Sequence, residues 1–462
     1  MDFAIDLGPA PDLSNPLSVL WFVYTHGLWL FFVATLIRGG WMFWVYTVQN
    51  RYDGAITHMT LAISVPKTTE QTPKAVENFF AHLTGTMSGS GNFIEKHFKG
   101  KNQETLSVEL VSRGGNVQYY VNTPSKFRNL IEASIYAQYP DAEIVEATDY
   151  TDELPSRFPN EHYDLWGTEL TLKKDSEYPI KTYQAFEHTL QGTFKDPLAS
   201  LLEYLGTFLP GEEAWVQIIL KPVGDDWKKK SDATAKKIMG VPVKKTHSPI
   251  HTMTAPIIAN IEGILATAVG YQAPAVVKEV KKDAPPSLMQ HLSPGEKNLI
   301  EAIQNKASRP AFAVKIRLVY IARKEIFNKG KMIAGVFGAF QQLSDANAFG
   351  MDKGTKVGAN YYQVERRAAV KKNKILKAYR GRSGGRGAAP FILNVEELAT
   401  IWHFPTIDIK APLLRKTEAK RAEPPTALPT REEAFAHIPE TPFPSLGGED
   451  EGSEIPSNLP FA

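Results

Sequence analysis

From Thr60 to Tyr150, hydrophobic positions switch between a spacing of two and a helical spacing of three to four. A spacing of two marks half-buried strands, and helical spacing marks amphipathic helices. The strand positions are Leu61, Ile63 and Val65, then Leu106, Val108 and Leu110, then Val117, Tyr119 and Val121. The helical positions are Val76, Phe79, Phe80 and Leu83, then Phe127, Leu130, Ile131, Ser134 and Ile135. With a short strand through Ile144, the order β-α-β-β-α-β predicts a ferredoxin-like unit over residues 55–150.

The chain from residue 155 to 410 repeats this order around an insertion. Its predicted strands are Leu165–Leu172, Trp215–Leu220 and Val314–Leu318. Its predicted helices contain Leu198–Leu205, Leu299–Ile303 after a capping box of Ser293 and Glu296, and Ile326–Leu343. We therefore expect an α+β fold with a second ferredoxin-like unit and an insertion at about residues 224–292. In that insertion, the apolar stretch Ile257–Val269 is too short to cross a bilayer and predicts a packed or interfacial helix.

One stretch, Leu17–Ile37, carries no formal charge and is long enough for a membrane span. About 20 apolar residues of helix cross a hydrocarbon core of about 30 Å. We therefore predict a single transmembrane helix with an aromatic interfacial segment over residues 16–50, after an N-terminal tail of residues 1–15. The expected anchor residues are Trp21, Trp29, Arg38, Trp41 and Trp44.

The arginines that flank this stretch predict its orientation. Arg38 and Arg51 follow it, so the positive-inside rule places the body in the cytoplasm and the N-terminus outside the cytoplasmic membrane. A cleaved signal peptide fits poorly, because Asp2, Asp6 and Asp12 precede the stretch without any Lys or Arg. A buried core helix is the other alternative.

Composition and charge exclude several classes of protein. The 462 residues contain no cysteine, which excludes thiolate metal sites, iron–sulfur clusters and cysteine nucleophiles. The chain is 43% hydrophobic and 22% charged, as soluble globular proteins are, which argues against a polytopic membrane protein. The 52 Lys and Arg residues nearly balance the 50 Asp and Glu residues. This balance hides a basic segment before Gly387 and a proline-rich, acidic tail over residues 411–462, whose composition predicts disorder.

Motifs of familiar enzymes do not occur in the sequence. There is no G-x-x-x-x-G-K-[ST] phosphate loop, no H-E-x-x-H and no G-x-S-x-G elbow, and the 11 histidines lack metal-ligand spacing. Asp141 and Glu143 lie on alternate positions of a strand, which is typical of a solvated face rather than of an acid–base pair. We therefore predict a protein that is not an enzyme, with no catalytic residues, metal site or cofactor.

The segment Lys353–Arg386 is strongly basic, and only Glu365 opposes its charge. Tyr361, Tyr362 and Tyr379 are interleaved with the basic residues, and RGRSGGRG at Arg380–Gly387 resembles flexible segments that contact phosphates. The residues expected to contact nucleic acid or an anionic surface are Arg366, Arg367, Lys371, Lys372, Lys374, Lys377, Arg380, Arg382 and Arg386. An anionic lipid surface, an acidic partner and a plain solvated face stay open as alternatives.

The string FILNVEELATIWHFP at Phe391–Pro405 resembles a segment of conjugative-transfer motor proteins of the FtsK–HerA superfamily. In those proteins an LN-x-EELA-x-x-HFP stretch precedes a proline-rich linker, similar to Pro412–Pro429 here, and then a P-loop ATPase domain. Ser134–Tyr150, Tyr178–Tyr183 and Lys195–Pro197 resemble strings in uncharacterised membrane-anchored proteins of candidate-phylum bacteria (Patescibacteria). No P-loop follows in this sequence, so no ATPase residue is carried over.

The resemblance implies a non-catalytic, membrane-anchored scaffold or docking subunit of a type IV secretion or conjugation-like system. Its expected partners are the lipid bilayer, a separately encoded FtsK–HerA-type ATPase and DNA, with a homo-oligomer also open. The expected docking residues are Glu396, Glu397, Leu398, Trp402, His403 and Phe404, and the alternative is that this segment packs on its own domain. The other functional hypotheses are a membrane-tethered nucleic-acid-binding protein and an envelope structural protein with its body outside.

Overall fold

The structure of the protein, a computed structural model, describes residues 18, 21, 24, 29–66, 71–89, 91–188, 193–241 and 292–406. The fold class is α+β, built on a large nine-stranded antiparallel sheet. Its strands are β1 (His58–Ser64), β2 (Leu106–Arg113), β3 (Asn116–Pro124), β4 (Glu143–Ala147), β5 (Tyr163–Leu172), β8 (Glu212–Pro222), β9 (Ala311–Arg323), β10 (Phe349–Met351) and β11 (Phe391–Asn394). A separate two-stranded ladder joins β6 (Glu187–His188) and β7 (Thr193–Phe194).

The described helices surround this sheet. They are α1 (Trp29–Gly54), α2 (Pro73–Leu83), α3 (Phe93–His97), α4 (Arg128–Tyr136), α5 (Ala199–Leu205), α6 (Asp226–Ile238), α7 (Pro294–Ser308), α8 (Phe337–Gln341), α9 (Val364–Arg380) and α10 (Val395–Ile401). A π-helical turn, Lys331–Val336, leads into α8. Single 3₁₀ turns lie at Thr84–Thr86, Ser125–Phe127, Tyr150–Glu153 and Tyr183–Phe186.

The sheet joins two four-stranded halves edge to edge. Its strand order is β10-β5-β9-β8-β2-β3-β1-β4, and β11 pairs with the first residues of β9. Within each half the order is that of a split β-α-β unit. The sequence predicted two such units but not their union, which arises where β2 pairs with β8 from Leu106↔Leu220 to Arg113↔Glu213. The halves therefore share one sheet.

Local chemistry fixes the ends of several elements. Pro73 begins α2, where its missing N–H removes no helical hydrogen bond. Gly114 and Gly115 join β2 to β3 with φ values of 55° and 85°, and this left-handed pair is the geometry of a tight hairpin turn that favours glycine. Ser293 and Glu296 form the predicted capping box of α7.

The two faces of the sheet are covered differently. Because successive strand side chains point to opposite faces, Tyr119 and its neighbour Leu110 lie on one face and Glu109 lies on the other. On the first face, α2 and α10 pack together, and Trp402 contacts the ring of Tyr119 with the centroids 5.5 Å apart. On the second face lies α9, whose Ile375 packs against Gly167. α9 therefore covers the face of the sheet opposite to α2 and α10.

The prediction of an N-terminal transmembrane helix is wrong. Across the described ranges, no helix combines the length and the apolar character that a bilayer crossing requires. α1 begins at Trp29, Arg38 interrupts its apolar residues after roughly 2.5 turns, and its last turns contain Gln49, Arg51 and Asp53. The membrane-anchored, single-pass description loses its basis with this helix. The expected bilayer partner and inner-membrane location stay predictions.

The residues expected to anchor the chain lie in or before α1. Trp21 stacks with Tyr24 at a centroid distance of 5.9 Å, and Trp29, Arg38 and Trp44 are exposed. Trp41 has a structural role, because its ring contacts the rings of Phe93, His97 and Phe98 at centroid distances of 6.3, 5.7 and 6.0 Å. Trp41 thus ties α1 to α3.

Three further predictions fall outside the described residues. They are the N-terminal tail of residues 1–15, the helix at Ile257–Val269 and the disordered tail of residues 411–462. The first part of the predicted insertion contains α6, which packs with α7.

Candidate nucleic-acid interface

α9 lies on the sheet through a short apolar stripe. Ile375, Leu376, Ala378 and Tyr379 are its buried residues. The phenol ring of Tyr379 lies 5.1 Å from the indole of Trp215 on β8, centroid to centroid. The helix ends at Gly381, whose N–H donates to the carbonyl of Lys377. The buried residues lie in the C-terminal half, and the residues of the first two turns of α9 are exposed or half-buried.

A row of buried polar side chains crosses the sheet beneath the end of α9. Glu109, Gln217, Arg317 and Glu169 occupy paired positions on β2, β8, β9 and β5. Arg317 Nε donates to Glu169 Oε1 at 2.7 Å, and Gln217 Nε2 donates to Glu109 Oε1 at 2.9 Å. Burial lowers the pKa of Arg317, and the neighbouring Glu169 carboxylate opposes this effect. Arg317 and Glu169 therefore compensate each other across adjacent strands, and Gln217 donates to the carboxylate of Glu109.

The same row holds the loop that follows α9. The guanidinium of Arg317 also donates to the carbonyl oxygens of Ala378, Ser383 and Arg386, at 2.9, 2.6 and 2.9 Å. Lys315 Nζ donates to the Arg386 carbonyl at 2.5 Å, and the Ala388 N–H donates to the Glu169 carboxylate. The prediction that RGRSGGRG is a flexible, phosphate-contacting segment is therefore not supported, because its backbone is bound to the sheet.

Two arginines of the predicted contact set point inward. Arg382 donates from Nε to Glu109 at 3.0 Å and from a terminal nitrogen to Asp149 at 2.5 Å. Burial opposes a charged Arg382, but Glu109 and Asp149 outweigh it and raise its pKa. Burial would likewise raise the pKa of Asp149, yet Arg382 and the N–H of Thr151 hold it below its ordinary value. Arg380 donates to the carbonyl oxygen of Thr151 at 2.7 Å.

Lys372 is also used within the fold, since its Nζ lies 2.5 Å from Asp164 Oδ1. Lys372, Arg380 and Arg382 are thus internal cations, and the structure does not present them to a ligand.

The remaining basic residues form what we call the α9 surface. Arg366, Lys374 and Lys377 are exposed and share one side of the helix, because spacings of three and four superpose on a helix. Arg386 is exposed in the following loop, and Arg367 and Lys371 are half-buried. In the described part of the chain, no carboxylate lies within 4.0 Å of the charged nitrogens of these six residues. The α9 surface therefore has uncompensated positive charge.

Two adjacent tyrosines stand at the start of this surface. Tyr361 is 69% exposed and Tyr362 is 77% exposed. The guanidinium of Arg367 lies 4.1 Å from the centroid of the Tyr361 ring, and one of its terminal nitrogens donates to the Tyr361 carbonyl at 3.1 Å. The sequence indicates only that these tyrosines are interleaved with basic residues. Their position next to Arg366 and Arg367 was the available signal.

The backbone at the same place is strained. Tyr362 and Gln363 have φ values of 34° and 50°, in the left-handed region that non-glycine residues rarely adopt. This conformation costs about 1–2 kcal/mol per residue. Lys371 donates to the carbonyls of Lys353 and Lys356 at 3.3 and 3.0 Å, which ties the preceding loop to α9. Strain of this kind is concentrated at ligand sites.

The six residues predicted to dock a motor lie inside the protein. Glu396, Glu397, Leu398, Trp402, His403 and Phe404 are all buried. Glu397 Oε2 lies 3.0 Å from Lys306 Nζ, and the Glu397 N–H donates to the side chain of Asn394 as part of a capping box. His403 Nε2 lies 2.9 Å from Asp196 Oδ1. The alternative that this segment packs on its own domain describes their placement.

Other positions offer little for a ligand. A surface cleft of about 290 Å³ lies beside the β2–β3 turn, but its Arg113 is already 2.9 Å from Glu153 and 3.6 Å from Glu213. Among the described residues, no group of three or more His, Asp or Glu side chains is arranged to hold a metal ion. The α9 surface is thus the stronger candidate.

Comparison with known proteins identifies a family. The family model described as Domain of unknown function (DUF8128) matches residues 55–417, a range that includes the whole nine-stranded sheet and α9. No curated protein matches the chain.

Proposed function

The chain belongs to the DUF8128 family, and we propose that it binds nucleic acid through the α9 surface. The supporting observation is the row of exposed Arg366, Lys374 and Lys377 with no carboxylate partner among the described residues. Such cations displace counterions from a phosphate backbone, and this release provides most of the affinity of non-specific nucleic-acid binding.

The basic residues that the fold already uses differ in their partners from those of the α9 surface, and this difference supports the proposal. Where basic side chains of this segment serve the fold, each has a carboxylate or carbonyl partner, as Arg382 has with Glu109 and Lys372 with Asp164. Within the α9 surface, Arg367 and Lys371 also donate to backbone carbonyls, and Arg366 contacts only the amide oxygen of Gln363. Lys374 and Lys377 have no such partner among the described residues. A surface with exposed tyrosines beside cations also matches the composition of nucleic-acid-binding grooves.

The test measures binding of the full chain to labelled oligonucleotides by fluorescence anisotropy at several salt concentrations. The triple variant R366Q/K374Q/K377Q removes three charges from the α9 surface. Its control, K230Q/K236Q/K237Q, removes three charges from the exposed side of α6. We expect the first variant to flatten the slope of log K against log salt by about 2, since each phosphate contact on a single strand contributes about 0.7.

The control should keep the slope of the original chain. Equal effects of the two triple variants would indicate diffuse charge rather than a site. Absence of binding at low salt would refute the proposal.

A second proposal follows from the resemblance at Phe391–Pro405 to transfer motor proteins. In it, the chain is a non-catalytic scaffold for a separately encoded P-loop ATPase, and the nucleic acid is its cargo. Because Trp402, His403 and Phe404 are buried, such an ATPase would have to contact other residues. Co-purification of the full chain with an FtsK–HerA-type ATPase tests this proposal, and its consistent absence would end it.

A further inference from the structure

The two exposed tyrosines at the start of α9 distinguish between kinds of nucleic acid. In a duplex the bases are stacked on each other, so a protein on the phosphate backbone has no access to their faces. A single strand presents those faces, and proteins that bind single strands combine a basic track with aromatic rings on which bases stack.

From this arrangement we infer that the α9 surface is a site for single-stranded nucleic acid, in which Tyr361 and Tyr362 stack with bases. The inference rests on the proposed function and adds its substrate class. Tyr361 and Tyr362 are adjacent and largely solvent-exposed, and Arg366, Lys374 and Lys377 continue from them along one side of the helix.

The geometry around Tyr361 holds its ring in place before any ligand arrives. Arg367 lies over one face of the ring at 4.1 Å and donates to both the Tyr361 carbonyl and its hydroxyl, at 3.1 and 3.2 Å. Because the guanidinium occupies one face, the other face is the one a base would meet. A fixed ring loses less conformational entropy on binding than a mobile one.

Tyr362, which is largely exposed, and Gln363 have left-handed backbone conformations. Two consecutive left-handed residues turn the chain sharply into α9. Gln363 Nε2 reaches the Tyr362 hydroxyl at 3.3 Å, and Gln363 Oε1 accepts from Arg366 at 3.4 Å. Gln363 therefore links the aromatic pair to the first cation of the track.

The combination of cations and exposed rings favours one occupant. A single strand supplies phosphates for the cations and, at every nucleotide, a base for the rings, whereas a run of acidic residues supplies charge without rings. The site does not by itself distinguish DNA from RNA, so both are used in the test.

The experiment compares oligo(dT), oligo(U) and a mixed-sequence duplex of equal length with the full chain, by anisotropy at fixed salt. The variant Y361A/Y362A removes both rings, and Y361F/Y362F keeps them. We expect the alanine variant to lose about 5-fold or more in affinity for the single strands, because stacking on an aromatic ring contributes about 1–3 kcal/mol per base. Its duplex affinity should not change. The phenylalanine variant loses the two hydroxyl contacts but keeps both rings, so it should bind single strands much more tightly than the alanine variant does.

A second readout reports stacking directly. The emission of 2-aminopurine placed within the single strand should be quenched by the original chain and by Y361F/Y362F. A circular dichroism spectrum shows whether Y361A/Y362A is folded. If that variant does not fold, the 2-aminopurine signal of the original chain decides the matter.

The outcomes separate this inference from the proposed function. The inference would be overturned if single strands and duplex bound with equal affinity and Y361A/Y362A weakened both equally. It would also be overturned if the emission of 2-aminopurine were not quenched. In either case R366Q/K374Q/K377Q would still test the phosphate contacts. Polyglutamate of matched charge that competes as well as oligo(dT) would also overturn it. Failure of every oligonucleotide to bind would refute both.

Discussion

Removal of the Arg317 guanidinium, which is buried beneath α9, should greatly lower the free energy of unfolding and loosen the loop after α9. In Arg317→Met, the guanidinium and its five hydrogen bonds disappear, and Glu169 loses its ion-pair partner at a position that is 2% exposed. Removal of one partner from a buried ion pair costs about 3–5 kcal/mol, because the other charge is left unpaired. The Ala388 N–H still donates to Glu169 and moderates this cost.

Urea unfolding followed by tryptophan fluorescence measures this loss. With an m value of about 3 kcal/mol/M, a loss of about 3–5 kcal/mol shifts the midpoint by roughly 1–1.7 M. Arg317→Met/Glu169→Met should recover much of the loss, since a buried pair is often replaced by apolar residues at little cost. Lys229→Met, which breaks an exposed ion pair with Asp226, is the matched control and should leave the midpoint unchanged.

The loop after α9 supplies a second signal. Because Arg317 binds the carbonyls of Ser383 and Arg386, Arg317→Met should speed tryptic cleavage after Arg382 and Arg386. A midpoint shift no larger than that of Lys229→Met would refute the reasoning. So would a double variant whose loss equals the sum of its single losses.

Three further predictions concern other parts of the fold. The pKa of Asp196 is lowered, because His403 and the N–H groups of Leu198 and Thr406 outweigh burial, which alone would raise it. The ionised Asp196 carboxylate therefore stabilises the fold fully above the ordinary pKa of 3.8, and this stabilisation is lost as the pH falls through the lower folded-state pKa. Asp196→Asn should therefore have a lower urea midpoint than the original chain near neutral pH, and the two midpoints should converge in strong acid. Gly387→Ala should cost about 1–3 kcal/mol, because φ is +93° and a Cβ would collide with the Glu169 carboxylate, whereas Gly385→Ala, with open space around it, should be nearly neutral; equal losses would contradict this. Trp41→Ala should speed amide hydrogen exchange in α1 by releasing it from α3, whereas Trp44→Ala, an exposed residue, should not; unchanged exchange in both would show that Trp41 does not anchor α1.

Periodicity predicted the elements whose partners are close in sequence. The stripe of Val76, Phe79, Phe80 and Leu83 forms the buried side of α2, and the alternation of Leu61 and Ile63 lies in β1 with both side chains buried. Such patterns record which side of an element faces the core, and this is decided locally.

Periodicity could not predict how the halves join or which cations turn inward. The pairing of β2 with β8 is made by backbone groups, which leave no mark on side-chain spacing. Arg382 belongs to the fold because of Glu109, which lies 273 positions earlier in the chain. In the sequence, nothing local separates Arg382 from Arg366, which the structure places in solvent.

The apolar run of residues 17–37 is misleading for a related reason. Run length alone predicts a span, but α1 also contains Arg38 and a polar end, and Trp41 has ring partners from Phe93 to Phe98. The aromatic residues of a helix can pack on other parts of the same protein as well as in a bilayer. Its partners around α3 were not visible in the pattern.

The strand order of the sheet is a palindrome. Counted outwards from β2 and from β8, each half presents its second, third, first and fourth strands, and the two central strands run antiparallel. This is the arrangement of an isologous dimer with a dyad between its halves, contained in one polypeptide. The helix α9 breaks that symmetry. It follows the fourth strand of the second half, whereas β4 of the first half leads through the turn at Tyr150–Glu153 directly to β5. A ligand that recognises α9 therefore meets one site on a scaffold of two similar halves, and the expected stoichiometry is one per chain.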